Sequence, residues 1–203
     1  MAPAPEAVYD SLFIANKLEI VSGGAADSEI SNFAYLACLL SVYKGHPPSE
    51  WGYRFAATSS AAPFSPDLAD AVEALLMAGL LVDSQEGVKA TPTGRGELAG
   101  MGALRRLLWR SQYLEAACGS ALALPLPLVG ESLAKEPQLR SALALSSSRP
   151  LLDEAGSRAI ISHFAVLADA VPDASSLLVP AVVWLGFLSR SIDQRTTVAE
   201  VEY

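Results

Sequence analysis

The 203-residue sequence is poor in the residue types that carry most enzyme and metal chemistry. It holds two cysteines and two histidines, and we find no partner Cys, His or carboxylate at ligand spacing from either His46 or His163. It contains no G-x-S-x-G motif, no Walker-type phosphate loop and no G-x-G-x-x-G after a strand. We therefore expect no catalytic residues, no bound metal and no cofactor.

Charge is also scarce, because charged residues make up 18% of the chain against about 25% in an average globular domain. The net charge is −8, and residues 1–103 carry most of it, with twelve acids against five bases. Residues 104–203 are nearly balanced, with ten acids and nine bases. This distribution lacks the basic footprint that binding to a phosphate backbone requires.

Long apolar runs are missing as well. The longest, Leu177 to Leu188, covers about a dozen residues and contains Pro180, so it is shorter than the ~20 residues that span a bilayer. The chain does not open with a charged and then apolar signal peptide. Cys38 and Cys118 lie in apolar helical patterns, which favours buried free thiols over a disulfide. We expect a cytoplasmic protein that does not enter membranes.

What the sequence has in excess is apolar residues, at 51%. Such a surplus favours a surface that binds a partner, although an alanine-rich composition from a GC-rich genome explains part of it. The last predicted helix, 175–191, is apolar almost all round, which is typical of a helix in a bundle or an interface. We select Val182, Leu185 and Phe187 on it as candidate partner-binding residues.

The stretch from Tyr53 to Leu98 has the pattern of a winged helix-turn-helix. Ser65 is the expected N-cap of a helix, and Pro66 occupies its first position. One apolar stripe then follows the helical period at Leu68, Val72, Leu75, Leu76 and Gly79. After it, 80–82 and 88–91 flank a polar turn, as the two strands of a small wing would, and Thr93 is the expected cap of the next helix.

The rest of the chain is predicted to be helical. Asp27 or Ser28 caps a helix that ends near Lys44, and a first helix before it ends in an extended segment at 19–21. Further helices are expected at 129–135, 137–145, 152–171 and 175–191. The predicted fold is mainly α: an N-terminal helix and tail (1–27), a winged helix-turn-helix domain with a small β-wing (28–102) and a helical C-terminal region (103–203). The alternating segment 197–202 is either frayed or pairs with the sheet edge of another chain.

The charge of the helix that would enter a DNA groove has the wrong sign. It carries Asp67, Asp70 and Glu73 and no lysine or arginine, so we select these three as candidate partner-binding residues. A separate basic cluster, Arg105, Arg106 and Arg110, lies on the helix after the wing. These arginines are candidates for contact with nucleic acid or an acidic partner, or for salt bridges with Glu97 or Glu115.

Four segments resemble a bacterial winged-helix pattern: Gly52-Tyr53-Arg54-Phe55, Pro63 to Leu68, Ala78 to Val82 and Thr91 to Gly96. The pattern is similar to that of the middle components of ABC three-component (Lamassu-like, SMC-associated) antiphage systems. The resemblance implies a non-catalytic accessory subunit that binds an SMC-like ATPase and a nuclease effector. The same architecture is similar to the winged-helix accessory subunits of bacterial condensins.

The alternative is a winged-helix DNA-binding transcriptional regulator or antitoxin, dimeric through its C-terminal helices. The acidic helix favours the adaptor, with nucleic acid bound weakly or only within a complex. Homodimer formation stays open for either function.

Overall fold

The computed structural model describes residues 3–58, 62–144, 148–171 and 176–190. The described residues are mainly helical, which confirms the predicted mainly α class. The helices are α1 (Pro5–Ser22), α2 (Asp27–Tyr43), α3 (Pro66–Met77), α4 (Pro92–Gly102), α5 (Arg105–Ala123), α6 (Leu126–Ala134), α7 (Pro137–Ala144), α8 (Glu154–Ala170) and α9 (Leu178–Arg190). A short 3-10 turn, Pro48–Trp51, follows α2. The strands are β1 (Ala56–Ala57), β2 (Pro63–Phe64), β3 (Leu81–Ser84), β4 (Gly87–Ala90) and β5 (Arg149–Pro150).

The helix α1 is longer than predicted. Residues 19–21 are helical rather than extended, and the helix ends at Gly23, whose positive φ of 80° lets its N–H donate to the Glu19 carbonyl at 3.0 Å. The start of α2 also differs from the prediction. Ala26 is its N-cap, and the Glu29 carboxylate accepts a hydrogen bond from the Ala26 N–H at 2.8 Å.

The expected hairpin is present after α3. Strands β3 and β4 are antiparallel, with Leu81 opposite Ala90 and Ser84 opposite Gly87. Ala25 extends this ladder, since its N–H and C=O exchange hydrogen bonds with Val88 at 3.0 and 2.9 Å. Gly87 has a φ of 109°, and a Cβ there would lie 2.5 Å from the Ala25 carbonyl oxygen. The residue before α2 and the hairpin therefore meet at a contact that only glycine permits.

The helix α4 starts two residues earlier than predicted. Thr91, not Thr93, is its N-cap, and the Thr91 hydroxyl accepts a hydrogen bond from the Gly94 N–H at 3.0 Å. A Cβ on Gly94 would lie 2.1 Å from the Leu80 carbonyl oxygen. Gly94 thus permits close packing of α4 on the start of the hairpin, and Arg95 pairs with Glu19 at 3.1 Å.

One hydrophobic core contains residues from all three predicted regions, 1–27, 28–102 and 103–203. Helix α1 packs on α3, α4, α5 and β4, while α2 packs on α5 and α6. The other sheet has the order β2-β1-β5, so a strand at Arg149–Pro150 joins one at Ala56–Ala57. The core is therefore continuous across the predicted boundaries after residues 27 and 102.

No single helix among the described residues combines the length and apolar character needed to cross a bilayer. Helices α5 and α6 reach that length and apolar character only when they are taken together, and the chain bends by 115° between them.

Candidate functional site

The three arginines at the start of α5 do not share one surface. Arg105 and Arg106 are exposed, whereas Arg110 is completely buried. The prediction that this cluster contacts nucleic acid or an acidic partner is therefore wrong for Arg110. The cause is the packing of α1 across α5, which places Asp10 opposite Arg110.

Arg110 is the centre of a buried polar network that joins α1, α5 and the segment after the 3-10 turn. Its Nη2 forms an ion pair with Asp10 Oδ2, and its Nε donates to Asp10 Oδ1 at 2.9 Å. Its Nη1 donates to the Trp51 carbonyl at 2.6 Å, and the Tyr53 hydroxyl donates to Asp10 Oδ2 at 2.6 Å. Both buried charges are thus paired and hydrogen-bonded, as burial of an ion pair requires.

Aromatic rings enclose the guanidinium group. The Arg110 Cζ lies 3.8 Å from the centre of the Trp51 ring and 5.7 Å from the ring centres of both Tyr53 and Trp109. The Trp51 and Trp109 rings are edge-on to each other, with centres 5.8 Å apart. Cation–π attraction and ring packing therefore add to the ion pair in holding Arg110.

Burial also sets the protonation behaviour of this region. It raises the pKa of Asp10, and the charge and hydrogen bonds of Arg110 act in the opposite direction. Burial likewise raises the pKa of the Tyr53 hydroxyl and of the Cys38 and Cys118 thiols. Both cysteines are free and buried, as predicted. Because these groups are enclosed by protein, we assign the network to the fold and not to catalysis.

An open concavity lies between the start of α2, strand β2, helix α3 and the hairpin. It has a volume of about 470 Å³. Its walls include five core or half-buried apolar side chains, Ile30, Leu68, Val72, Leu76 and Val88, and the exposed ring of Phe64. On α3, the buried Leu68 and Val72 and the half-buried Leu76 line the groove, whereas the buried Leu75 does not. We call this concavity the α2–α3 groove.

The charges that line the α2–α3 groove are all negative. Asp27, Glu73 and Asp83 contribute to its lining, all three are exposed, and no lysine or arginine among the described residues lines it. None of the three forms an ion pair within the described part of the chain. Of the other predicted acidic residues of α3, Asp70 is exposed and Asp67 is half-buried, and neither lines the groove.

A buried hydroxyl also lies in the groove wall. Ser65 is fully buried, and its Oγ has no hydrogen-bond partner in the described structure. It occupies the N-cap position of α3, as predicted, but its side chain makes no capping hydrogen bond. An unpaired buried hydroxyl costs about 1–3 kcal/mol, so this position lowers the stability of the groove wall.

The predicted apolar interface on α9 is split by the fold. Leu185 is completely buried against the protein's own core, so selecting it as a partner-binding residue was wrong. Phe187 is 59% exposed and Val182 is half-buried. Phe187 lines an apolar cleft of about 200 Å³ between α8 and α9, together with Val166, Val183 and Trp184. The cleft contains His163, whose Nδ1 is buried without a hydrogen-bond partner in the described structure.

Neither histidine is part of a metal-binding group formed by the described residues. Across the described ranges, no group of three His, Cys, Asp or Glu side chains is arranged to hold a metal ion. His46 does have a carboxylate partner one helical turn away, which sequence reasoning overlooked: its Nδ1 lies 3.2 Å from Glu50 Oε2. Its ring also packs on Trp109, with centres 5.1 Å apart.

Sequence reasoning missed Asp10, Asp27, Phe64 and Asp83. Asp10 carried a signal, because it is a lone carboxylate in the apolar stretch from Val8 to Ile14, and a charge in such a place needs a buried partner. Asp27 and Asp83 carried none, since an acid at a helix start or in a turn is ordinary. Only the folding of three separate segments against one another brings Asp27, Glu73 and Asp83 together.

No protein-family model, no curated protein and no solved structure matches this chain.

Proposed function

We propose that this protein is a non-catalytic accessory (adaptor) subunit that binds protein partners through the surface around α3. The α2–α3 groove is the feature that supports this proposal. It is open, it has an apolar base, and the charged residues among the described ones that line it are all carboxylates. Exposed apolar surface rimmed by polar residues is typical of protein interaction sites. Following the resemblance of its motifs, we propose an SMC-like ATPase and a nuclease subunit as the partners.

We also propose that residues 28–102 form a winged helix. The order α2, α3, β3, β4 supports this, since a helix with a buried stripe is followed directly by an antiparallel hairpin. In a DNA-reading helix-turn-helix, the outer side of the second helix enters the major groove and carries base and phosphate contacts. Here the outer side of α3 carries Asp70 and Glu73, which phosphates repel.

The alternative function, DNA binding by a regulator or antitoxin, has one observation in its favour. Arg105 and Arg106 are exposed next to each other at the start of α5, and Leu104 and Leu108 beside them are 47% and 58% exposed. Two cations are few against the net charge of −8, because specific binders neutralise several phosphates.

Fluorescence anisotropy with random duplex DNA at about 0.15 M salt separates the two functions. For an adaptor we expect a Kd no tighter than about 1 µM. Sub-micromolar binding that is lost in the double variant Arg105→Glu/Arg106→Glu would establish the DNA-binding alternative.

The adaptor function is tested directly by co-expression with the products of neighbouring genes, followed by size-exclusion chromatography. We expect the chain to co-elute with an SMC-like ATPase encoded next to it. An isolated toxin gene or a metabolic operon next door, with no complex formed, would contradict the proposal.

A further inference from the structure

We infer that the α2–α3 groove receives a basic, amphipathic segment of the partner protein, with apolar side chains in the groove and lysines or arginines at its rim. This inference rests on the proposed adaptor function and names the chemistry of the partner. Three features of the groove support it: the charge of its lining, its apolar side chains and volume, and the unpaired hydroxyl of Ser65.

Charge complementarity selects a cationic occupant. Asp27 comes from α2, Glu73 from α3 and Asp83 from β3, so carboxylates line the groove from three elements. The nearby hairpin lysine, Lys89, is already paired with Glu86 at 3.0 Å. Uncompensated charges of one sign disfavour anionic partners and attract cationic ones.

A bare metal ion does not satisfy this arrangement. The three carboxylates do not form a group that could hold a metal, and no other such group exists among the described residues. Lysine and arginine side chains suit a groove that has apolar residues and carboxylates in its lining, because their long stems pack on apolar surface while their charged ends reach the rim.

The apolar base selects an amphipathic occupant over a merely basic one. Leu68, Val72 and Leu76 line the groove at helical spacing, and Phe64, at 42% exposed, forms its edge on the β2 side. A groove of this kind binds the apolar side of a helix through residues spaced i, i+3, i+4 and i+7. The volume of about 470 Å³ is in the range of sites that enclose several apolar groups.

Ser65 adds an unpaired polar group beneath the groove wall. Its Oγ has no hydrogen-bond partner in the described structure, although Ser65 is fully buried. Most buried hydroxyls in proteins are paired. A shift of the wall that exposes this hydroxyl on binding would let a polar group of the bound segment pair with it.

Three labelled peptides of about 14 residues test the inference with the full chain. The first carries leucines on one helical side and lysines on the other, the second has glutamate for every lysine, and the third has glutamine for every leucine. By fluorescence anisotropy at about 0.15 M salt, we expect the first to bind at least about tenfold more tightly than either of the others. Equal binding of the first and third peptides would mean general attraction to an acidic protein and would overturn the inference.

Matched variants locate the binding. Glu73→Lys should lower the affinity for the first peptide at least about tenfold. Asp70→Lys, on the same helix but outside the groove, should lower that affinity less than about threefold. Phe64→Ser should weaken it similarly, and Met77→Ser should not, because Met77 is exposed but does not line the groove. Equal effects within either pair would overturn the inference.

Two further measurements distinguish other occupants and the parent proposal. If the wild-type chain self-associates and both Glu73→Lys and Arg105→Glu/Arg106→Glu dissociate it, the groove binds a second copy and the inference fails. If a complex with the neighbouring ATPase forms and is unaffected by Glu73→Lys, the adaptor function stands and the groove inference fails. If no such complex forms while the peptides meet the criteria above, the groove inference stands and the adaptor function fails.

Discussion

The buried network around Arg110 and the α2–α3 groove use charge in opposite ways. In the network, Asp10 and Arg110 satisfy each other inside the core, beneath Trp51. In the groove, Asp27, Glu73 and Asp83 face solvent with no cation beside them in the lining. The comparison teaches that a charged residue is committed to the fold when its partner lies within the chain, and is free for a binding role when it does not.

The largest expected effect comes from breaking the network. Arg110→Met should lower the free energy of unfolding by about 3–5 kcal/mol, because it leaves the Asp10 carboxylate buried without its partner. Chemical denaturation followed by circular dichroism measures the change. Arg106→Met, one turn earlier and exposed, is the matched control and should change stability by less than about 0.5 kcal/mol.

The double variant Asp10→Leu/Arg110→Met sharpens this prediction. Replacing both buried charges by apolar groups removes the unpaired carboxylate, so we expect most of the lost stability to return. Equal costs for Arg110→Met and Arg106→Met would show that burial does not commit Arg110 to the fold.

The second prediction applies the same comparison to α9. Leu185→Ala should cost about 2–5 kcal/mol, because it leaves a cavity in the core. Phe187→Ala removes a larger side chain that is 59% exposed, and should cost less than about 1 kcal/mol. Thermal and denaturant unfolding of both variants measure the two losses of stability. A larger loss for Phe187→Ala would mean that the α8–α9 cleft supports the fold more than its exposure indicates.

The third prediction tests one hydrogen bond of the network. Tyr53→Phe keeps the ring and removes the hydroxyl that donates to Asp10 at 2.6 Å, so it should cost about 1–3 kcal/mol. Tyr43→Phe is the control, because the Tyr43 ring packs edge-on against Phe164 at 5.5 Å and that contact is retained. Its effect should stay within about 0.5 kcal/mol. Similar losses of stability in the two variants would show that the Tyr53 hydroxyl does not stabilise the network.

Local signals predicted much of the fold. The stripe on α3, the hairpin after it and the helices of the C-terminal half follow from residue periodicity and turn residues, which act within a few positions. Caps were less well predicted, because Ser65, Asp27 and Thr93 have suitable side chains whose use depends on neighbouring backbone.

The pairing of distant residues could not be predicted. Asp10 and Arg110 are a hundred positions apart, and nothing local distinguishes Arg110 from the exposed Arg106 four residues before it. The same holds for Leu185 and Phe187, two apolar neighbours on α9 that the fold separates into core and surface. Which of these candidates are buried and which are exposed could therefore be decided only from the packing of α1 and α9.

The smallest expected effect on stability is also the one that matters most for function. Glu73→Lys should change the free energy of unfolding by less than about 0.5 kcal/mol, because Glu73 is exposed and forms no ion pair within the described residues. Any shift should be stabilising, since the lysine relieves repulsion among the groove carboxylates. Denaturant unfolding beside Asp70→Lys measures it. A loss above about 1 kcal/mol would place Glu73 with Arg110 among the residues that hold the fold, and the contrast between network and groove would fail.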